Sequence, residues 1–107
     1  ENTVFNDGTS SNEDLSFIND ENKILPLTPN PVEGSTLVTF NLAQGGPLNI
    51  SITDINGRII RHLRKGEFFT NGVSQIQFDA NSLESGTYFL MIQGKNMQLI
   101  EKFIRVK

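Results

Sequence analysis

The chain has 107 residues, of which 36% are hydrophobic, and a formal net charge of −3, which suits one small globular domain with some extended sequence but not two domains. It has no cysteine, so disulfide bonds, thiolate metal sites and cysteine nucleophiles are excluded. No apolar run approaches the roughly 18 residues of a transmembrane helix, and the first residues do not have the pattern of a signal peptide. Because the sequence begins with Glu1 rather than with Met, we expect this chain to be the C-terminal part of a longer protein.

Residues 1–23 have the composition of an acidic linker. They carry six acidic side chains against Lys23 alone, a local charge of −5, and are rich in Asn, Asp, Ser and Gly. Ser10 and Glu13 have the spacing of a helix N-terminal cap, but too little periodic apolar sequence follows to sustain a helix. We therefore predict an extended segment over residues 1–23 and one folded domain over residues 24–107.

From residue 24 onwards, apolar and polar residues alternate in short runs separated by turn residues, which predicts β-strands. The predicted strands cover residues 24–27, 36–42, 48–53, 58–65, 73–79, 87–93 and 97–106. Asn56-Gly57 predicts a tight hairpin because both residue types tolerate positive φ, and residues 94–96 predict a second hairpin. Residues 66–72 are predicted to form a loop. The pattern favours an all-β fold, a seven-stranded antiparallel β-sandwich of immunoglobulin-like, Greek-key type.

The chain's only tyrosine predicts a specific structural contact. Tyr88 follows Leu83 and Gly86 at the start of a predicted strand, which is the spacing of the tyrosine corner of Greek-key sandwiches. In such a corner the ring fills the core while the phenol donates a hydrogen bond to a backbone carbonyl a few residues upstream. We expect that acceptor between Asn81 and Glu84, and a structural role for Tyr88 rather than contact with a ligand.

The sequence offers little for catalysis or for binding a cofactor. His62 is the only histidine and has no carboxylate partner close in sequence, so we expect a solvated or core-edge side chain rather than a general base. Residues 54–57 are similar to part of a calcium loop but lack its full ligand set, which favours a hairpin turn. Residues 45–47 lack the lysine and the following helix of a phosphate-binding loop. The sequence therefore predicts no enzyme activity, no cofactor and no metal site.

Two surface features leave alternatives open. Basic residues cluster on the predicted strand 58–65, where they would either protect a sheet edge from unwanted pairing or contact an acidic protein or membrane surface. We favour edge protection, and nucleic acid is disfavoured because the basic content is low and no aromatic residues are interleaved with it. Phe68 and Phe69 could stack on a sugar or a partner, but we expect at least one of them to close the open end of the sandwich.

Four motifs follow one another along the chain, at residues 29–36, 54–58, 83–89 and 102–107. In this order they resemble the type A C-terminal sorting domain of the type IX secretion system, the Por secretion system, over about residues 27–107. The resemblance implies a secretion signal on cargo proteins of Bacteroidota-type bacteria, which fold in the periplasm and are exported to the cell surface or medium. It implies as partners the outer-membrane translocon, its shuttle protein and a cell-surface sortase that cuts in the preceding linker.

The resemblance also assigns individual positions. Pro31 and Gly34 match the early turn motif, Gly57 the hairpin glycine, Gly86 and Tyr88 the glycine-tyrosine motif, and Lys102 and Lys107 the terminal basic motif. We expect the three glycines to adopt unusual backbone angles.

The last strand is the expected contact with partners. We expect Lys102, Arg105 and Lys107, with the terminal carboxylate, to make this contact, because an exposed last strand can be recognised by main-chain pairing and by charge. We expect no direct membrane insertion, and either a monomer or a weak dimer formed through an edge strand. The alternative is an immunoglobulin-like accessory module of a secreted enzyme or adhesin, which binds glycan or spaces other domains; an exposed pair of rings at Phe68 and Phe69 would support it.

Overall fold

The computed structural model describes residues 21–107, so the expectations for residues 1–20, including the cap at Ser10 and Glu13, lie outside the described residues. Each predicted strand has a counterpart in this part of the chain. The strands are β1 (Lys23–Ile24), β2 (Ser35–Leu42), β3 (Gly46–Thr53), β4 (Ile59–Phe69), β5 (Gly72–Asp79), β6 (Gly86–Gly94) and β7 (Met97–Arg105).

The strands form two antiparallel sheets. One has three strands in the order β1-β2-β5, and the other has four in the order β4-β3-β6-β7. The chain passes from the first sheet to the second between β2 and β3, returns to the first between β4 and β5, and crosses again between β5 and β6. The predicted all-β, seven-stranded antiparallel fold is confirmed.

The hydrophobic core lies between the two sheets, and the alternation of the sequence accounts for it. Side chains of a strand point to opposite faces in turn, and one set of alternate residues in β2 and β3 is at most 3% exposed: Val38, Phe40, Leu42, Leu48, Ile50 and Ile52. Each large apolar side chain buried in this way contributes about 1.5 to 3 kcal/mol relative to an exposed one. The fully buried apolar side chains that fill the centre are Val32, Val38, Phe40, Leu42, Ile50, Ile52, Leu90, Ile92 and Phe103.

β4 is longer than the sequence predicts. The prediction of a loop over residues 66–72 is wrong, because β4 continues to Phe69 and only residues 70–71 separate it from β5. The pairing of β4 with β3 contains register shifts, and Gly66 has a φ of +66°, a conformation that glycine adopts at no steric cost. The Gly66 N–H donates to Asn49 Oδ1 at 2.7 Å. These irregularities absorb the extra residues without ending the strand.

The first strand is shorter than predicted. β1 ends at Ile24, and beyond it the chain stays beside β2 through the hydrogen bond from Leu25 N to Thr39 O and the isolated bridge between Thr28 and Leu37. Pro26 lies in this stretch and has no N–H to donate. The segment therefore follows β2 with interruptions rather than as a regular strand.

The next residues change from one sheet to the other. Val32 N donates to Ile104 O at 2.7 Å, and Val106 N donates to Val32 O at 2.9 Å, which places Val32 in a parallel bridge beside Arg105. Ile104 N donates to Asn30 Oδ1 at 3.3 Å. One short segment thus covers the outer edge of β7 at its C-terminal end.

Candidate recognition surface

The motif around Tyr88 forms the predicted corner. Tyr88 Oη donates to Glu84 O at 2.8 Å, within the range of acceptors predicted from the sequence. Its ring stacks on that of Phe103, with the centroids 5.7 Å apart and the planes at 23°. This contact ties the start of β6 to the loop that precedes it and to β7.

The hairpin between β3 and β4 is present, but its turn differs from the expected one. Gly57 N donates to Asp54 O at 3.0 Å and Asp54 N donates to Arg58 O at 2.9 Å. Within this turn only Gly57 has a positive φ, +84°, whereas Asn56 was expected to have one as well and does not. These features are those of a type I turn followed by a left-handed glycine.

The Asp54 carboxylate accounts for this turn geometry. Its Oδ1 accepts hydrogen bonds from the N–H groups of Asn56 and Arg58, at 2.9 and 3.0 Å, and its Oδ2 lies 3.1 Å from Arg58 Nε. The backbone hydrogen bond from Arg58, supported by the others, lowers the pKa of the Asp54 carboxyl below its usual value. Both oxygens have partners in the turn, so the residue serves the hairpin rather than a calcium site.

The other motif positions have different roles. Gly34 does not adopt the expected positive φ; instead its carbonyl accepts hydrogen bonds from Ala80 N and Thr36 Oγ1, both at 3.1 Å. Gly86 has a φ of +156°, a backbone conformation that residues with a side chain rarely adopt, as expected for this glycine. Pro31 is exposed and lies between the two residues that cover the end of β7. Pro31 thus lies beside the C-terminal strand, and Gly86 lies at the start of β6.

Arg105 does not lie on the surface. It is 3% exposed, and its guanidinium donates to four backbone carbonyls, those of Leu83, Val32, Glu33 and Val106, at 2.7 to 3.4 Å. The expectation that Arg105 presents an exposed charge is therefore wrong, because an arginine with a planar set of donors can satisfy several carbonyls at once. It joins three distant parts of the chain.

The two lysines of the terminal motif are exposed. Lys107 Nζ lies 3.3 Å from Glu84 Oε1, and Lys107 N donates to Ser85 Oγ at 3.1 Å, so this lysine is held against the loop before β6. Among residues 21–107, Lys102 has no ion pair. Lys102 is therefore the more accessible of the two charges.

The exposed face of β7 is apolar on both sides of Lys102. The side chains of Ile100 and Ile104 are 53% and 44% exposed. Phe89 and Met91 of β6 pair with Lys102 and Ile100 and are half-buried on the same face. Beside them is a groove of about 290 Å³, which is lined by Thr53, Asp54, Ile55, Gly57, Phe89, Met91 and Ile100.

Sequence reasoning missed these apolar residues, although a signal was present. In the run from Ile100 to Arg105, apolar residues occur in both phases of the alternation. Phe103 accounts for the phase that faces the core, whereas Ile100 and Ile104 lie in the other phase and must face outward. An edge strand with large apolar side chains on its outer face has surface left for a partner.

The three arginines of the predicted strand 58–65 have local partners. Arg58 pairs with Asp54 and Arg64 pairs with Glu67, both at 3.1 Å. Arg61 donates to Asp79 O at 2.7 Å and to Ser82 Oγ. Their charges are thus engaged along an irregular edge strand, which agrees with edge protection better than with a free cationic patch.

The two adjacent phenylalanines at the end of β4 point in different directions. The Phe69 ring packs edge-on against Phe40, with the centroids 5.3 Å apart, and so closes the core as predicted for one of the pair. Phe68 is 65% exposed. A platform of two adjacent rings is therefore not formed.

The described residues contain no group of three or more His, Cys, Asp or Glu side chains placed to hold a metal ion. Within the same part of the chain, no helix has the length and apolar character needed to cross a membrane.

Comparison with known proteins gives one match. The family described as "Secretion system C-terminal sorting domain" matches residues 27–107, from the segment beside β2 to the end of the chain. No curated protein and no solved structure matches the chain. Because the match covers β2 to β7 and all four motifs, the chain belongs to the secretion system C-terminal sorting domains, the sorting signals of type IX secretion.

Proposed function

We propose that this domain is a non-catalytic signal that directs its cargo through the type IX outer-membrane translocon to the cell surface or medium. Its partners are the translocon and the shuttle protein, and a cell-surface sortase removes the domain by cutting in the linker at residues 1–23. The observation that carries the proposal is the family match over residues 27–107. The export of the cargo to the surface or medium follows from membership of this family.

We propose that the sandwich is of the immunoglobulin-like, Greek-key type. The strand orders β1-β2-β5 and β4-β3-β6-β7 support this, because consecutive strands change sheets in the manner of Greek-key connections. The bridge between Val32 and β7 supports it further, since residues 23–32 then contribute to both sheets.

The experiment fuses the complete chain behind a signal peptide and a fluorescent reporter in a type IX-competent cell. We expect the reporter at the surface or in the medium when the translocon is present and in the periplasm when it is deleted. A reporter that stays periplasmic in both strains would contradict the sorting function and favour the alternative, an accessory module of a secreted enzyme or adhesin. Sequencing the N-terminus of any released domain tests the sortase cut.

The same cells test the contribution of charge at the C-terminal strand. Lys102→Glu reverses an exposed charge on the outer face of β7, whereas Lys95→Glu makes the same change at the turn that precedes the strand. We expect Lys102→Glu to reduce export and Lys95→Glu to leave it unchanged. Equal effects of the two variants would mean that net charge, rather than the position of Lys102, matters.

A further inference from the structure

The outer edge of β7 is divided into a covered part and an open part. Ile104 directs both its N–H and its C=O away from β6, because the N–H donates to Asn30 Oδ1 and the C=O accepts from Val32 N. In an antiparallel pair every second residue directs its backbone groups to the same side. Gln98, Ile100 and Lys102 therefore direct their N–H and C=O groups outward as well.

These groups have no partner in the described part of the chain. β7 pairs only with β6 in its sheet, and no other backbone hydrogen bond of residues 21–107 reaches Gln98, Ile100 or Lys102. The open stretch begins after the hairpin at residues 95–96 and ends where Asn30 and Val32 cover the edge; β1 lies close to β7 but makes no backbone hydrogen bond to it. It offers three N–H groups and three C=O groups in a regular strand.

The other long edge strands are less suited to pairing. β4 pairs with β3 through several register shifts and carries arginines along its length, and both features discourage the addition of a strand. On β5, Gln75 and Gln77 donate to hydroxyl groups of β2, so its central exposed side chains are polar and engaged, and its exposed apolar side chain, Val73, lies at the start of the strand. The register of β7 with β6 has no shift, and its exposed side chains are apolar at Ile100 and Ile104.

From this edge, and building on the proposed function, we infer that a component of the export machinery recognises the domain by adding an extended strand of its own to β7 over Gln98, Ile100 and Lys102. Main-chain hydrogen bonds to the open edge provide the attachment, and alternate side chains provide the specificity. The added strand places an apolar side chain beside Ile100 and an acidic one beside Lys102. The backbone that the partner recognises is therefore that of residues 98–102. The following residues, 104–106, are already covered by Asn30 and Val32.

Charge distinguishes this occupant from a second copy of the chain. Two copies of β7 paired antiparallel about Ile100 would place Lys102 opposite Gln98 of the other copy and leave the lysine without an acidic partner. An acidic partner strand provides one. Residues 1–20 of the chain itself are also acidic, with five carboxylates and no basic residue, and both of these occupants are outcomes of the test.

The test uses proline, which removes an N–H that points away from the domain and leaves the hydrogen bonds to β6 in place. The complete chain with Ile100→Pro is compared with Ile100→Thr, which loses the same apolar side chain but keeps the N–H. In the reporter cells we expect Ile100→Pro to reduce export about tenfold, as the loss of main-chain pairing at the centre of the added strand implies, while Ile100→Thr retains most of it. Equal export of both variants and the wild type, or equal loss in both variants, would overturn the inference.

Thermal unfolding of the purified chains shows whether Ile100→Pro folds. If it does not, the same comparison is made with Gln98→Pro and Gln98→Thr, because Gln98 also directs its N–H outward. Wild-type chain that is not exported at all would overturn the sorting function together with this inference, whereas export of the wild type and the proline variants alike overturns the inference alone.

Amide hydrogen exchange on the isolated wild-type chain tests the open edge directly. We expect the amides of Gln98, Ile100 and Lys102 to exchange quickly and those of Leu99 and Glu101, which face β6, to exchange slowly. Slow exchange at all five would overturn the inference, because the edge would already be occupied. Sedimentation and removal of residues 1–20 would then show whether a second copy or the chain's own acidic segment occupies it.

Discussion

Arg105 is the residue whose role differs most from the expectation based on sequence. A basic residue near the end of an edge strand is expected to contact a partner at the surface. The Arg105 guanidinium is instead buried among the backbone carbonyls of residues 32, 33, 83 and 106. Its partners are neutral carbonyls, which a guanidinium can satisfy together because its donors are fixed in one plane. The residue therefore stabilises the end of β7 from inside the domain.

Replacing Arg105 should reduce stability rather than a surface charge alone. Arg105→Met leaves buried carbonyls without donors, so we expect the free energy of unfolding to fall by about 2 to 4 kcal/mol. Arg105→Lys should recover only part of this loss, since an ammonium cannot reach all of the carbonyls. Urea denaturation of the purified chain measures both values.

Lys102→Met provides the matched control for Arg105, because it removes a positive charge from the same strand at an exposed position. We expect its free energy of unfolding to stay within about 0.5 kcal/mol of the wild type. If Arg105→Met were equally mild, the hydrogen bonds of the guanidinium would contribute little to stability, and the residue would again be a candidate for partner contact.

At the scale of single elements, the accuracy of sequence reasoning depended on how local the cause was. The alternation of β2 and β3 is encoded within each strand, so their inward faces could be predicted. The continuation of β4 past Gly66 depends on the side chain of Asn49, in the neighbouring strand, and the burial of Arg105 depends on carbonyls far away in sequence. Contacts of that kind cannot be inferred from the spacing of residues along one strand.

The β3–β4 hairpin permits a prediction at this scale. Gly57 has a φ of +84° and no atom lies within 4 Å of an added Cβ, so only backbone strain opposes a side chain there. We expect Gly57→Ala to lower the free energy of unfolding by about 1 to 2 kcal/mol. Gly46→Ala is the matched control, since it has equal space and no positive φ, and a comparable loss in the control would argue against backbone strain as the cause.

At the scale of the whole molecule, the proposed recognition surface and the core share one strand. Alternate residues of β7 face outward, where Ile100 and Lys102 are exposed, and inward, where Phe103 is completely buried and contacts the rings of Phe78 and Tyr88. The segment at Asn30 and Val32 joins the same strand to the start of the domain. A partner that recognises β7 therefore recognises a folded domain rather than a linear tail.

Removing the tail should consequently unfold the domain as well as prevent export. Deletion of residues 103–107 takes away a buried aromatic ring, the Arg105 hydrogen bonds and the partners of Val32. Loss of the ring alone costs about 3 to 5 kcal/mol, a large fraction of the 5 to 15 kcal/mol that typically stabilises a small domain. We expect the truncated chain to lack a cooperative thermal transition by circular dichroism. A truncated chain that still unfolds cooperatively near the wild-type Tm would show that the tail and the sandwich are separable, and its failure to be exported would then identify the last five residues as the recognised element.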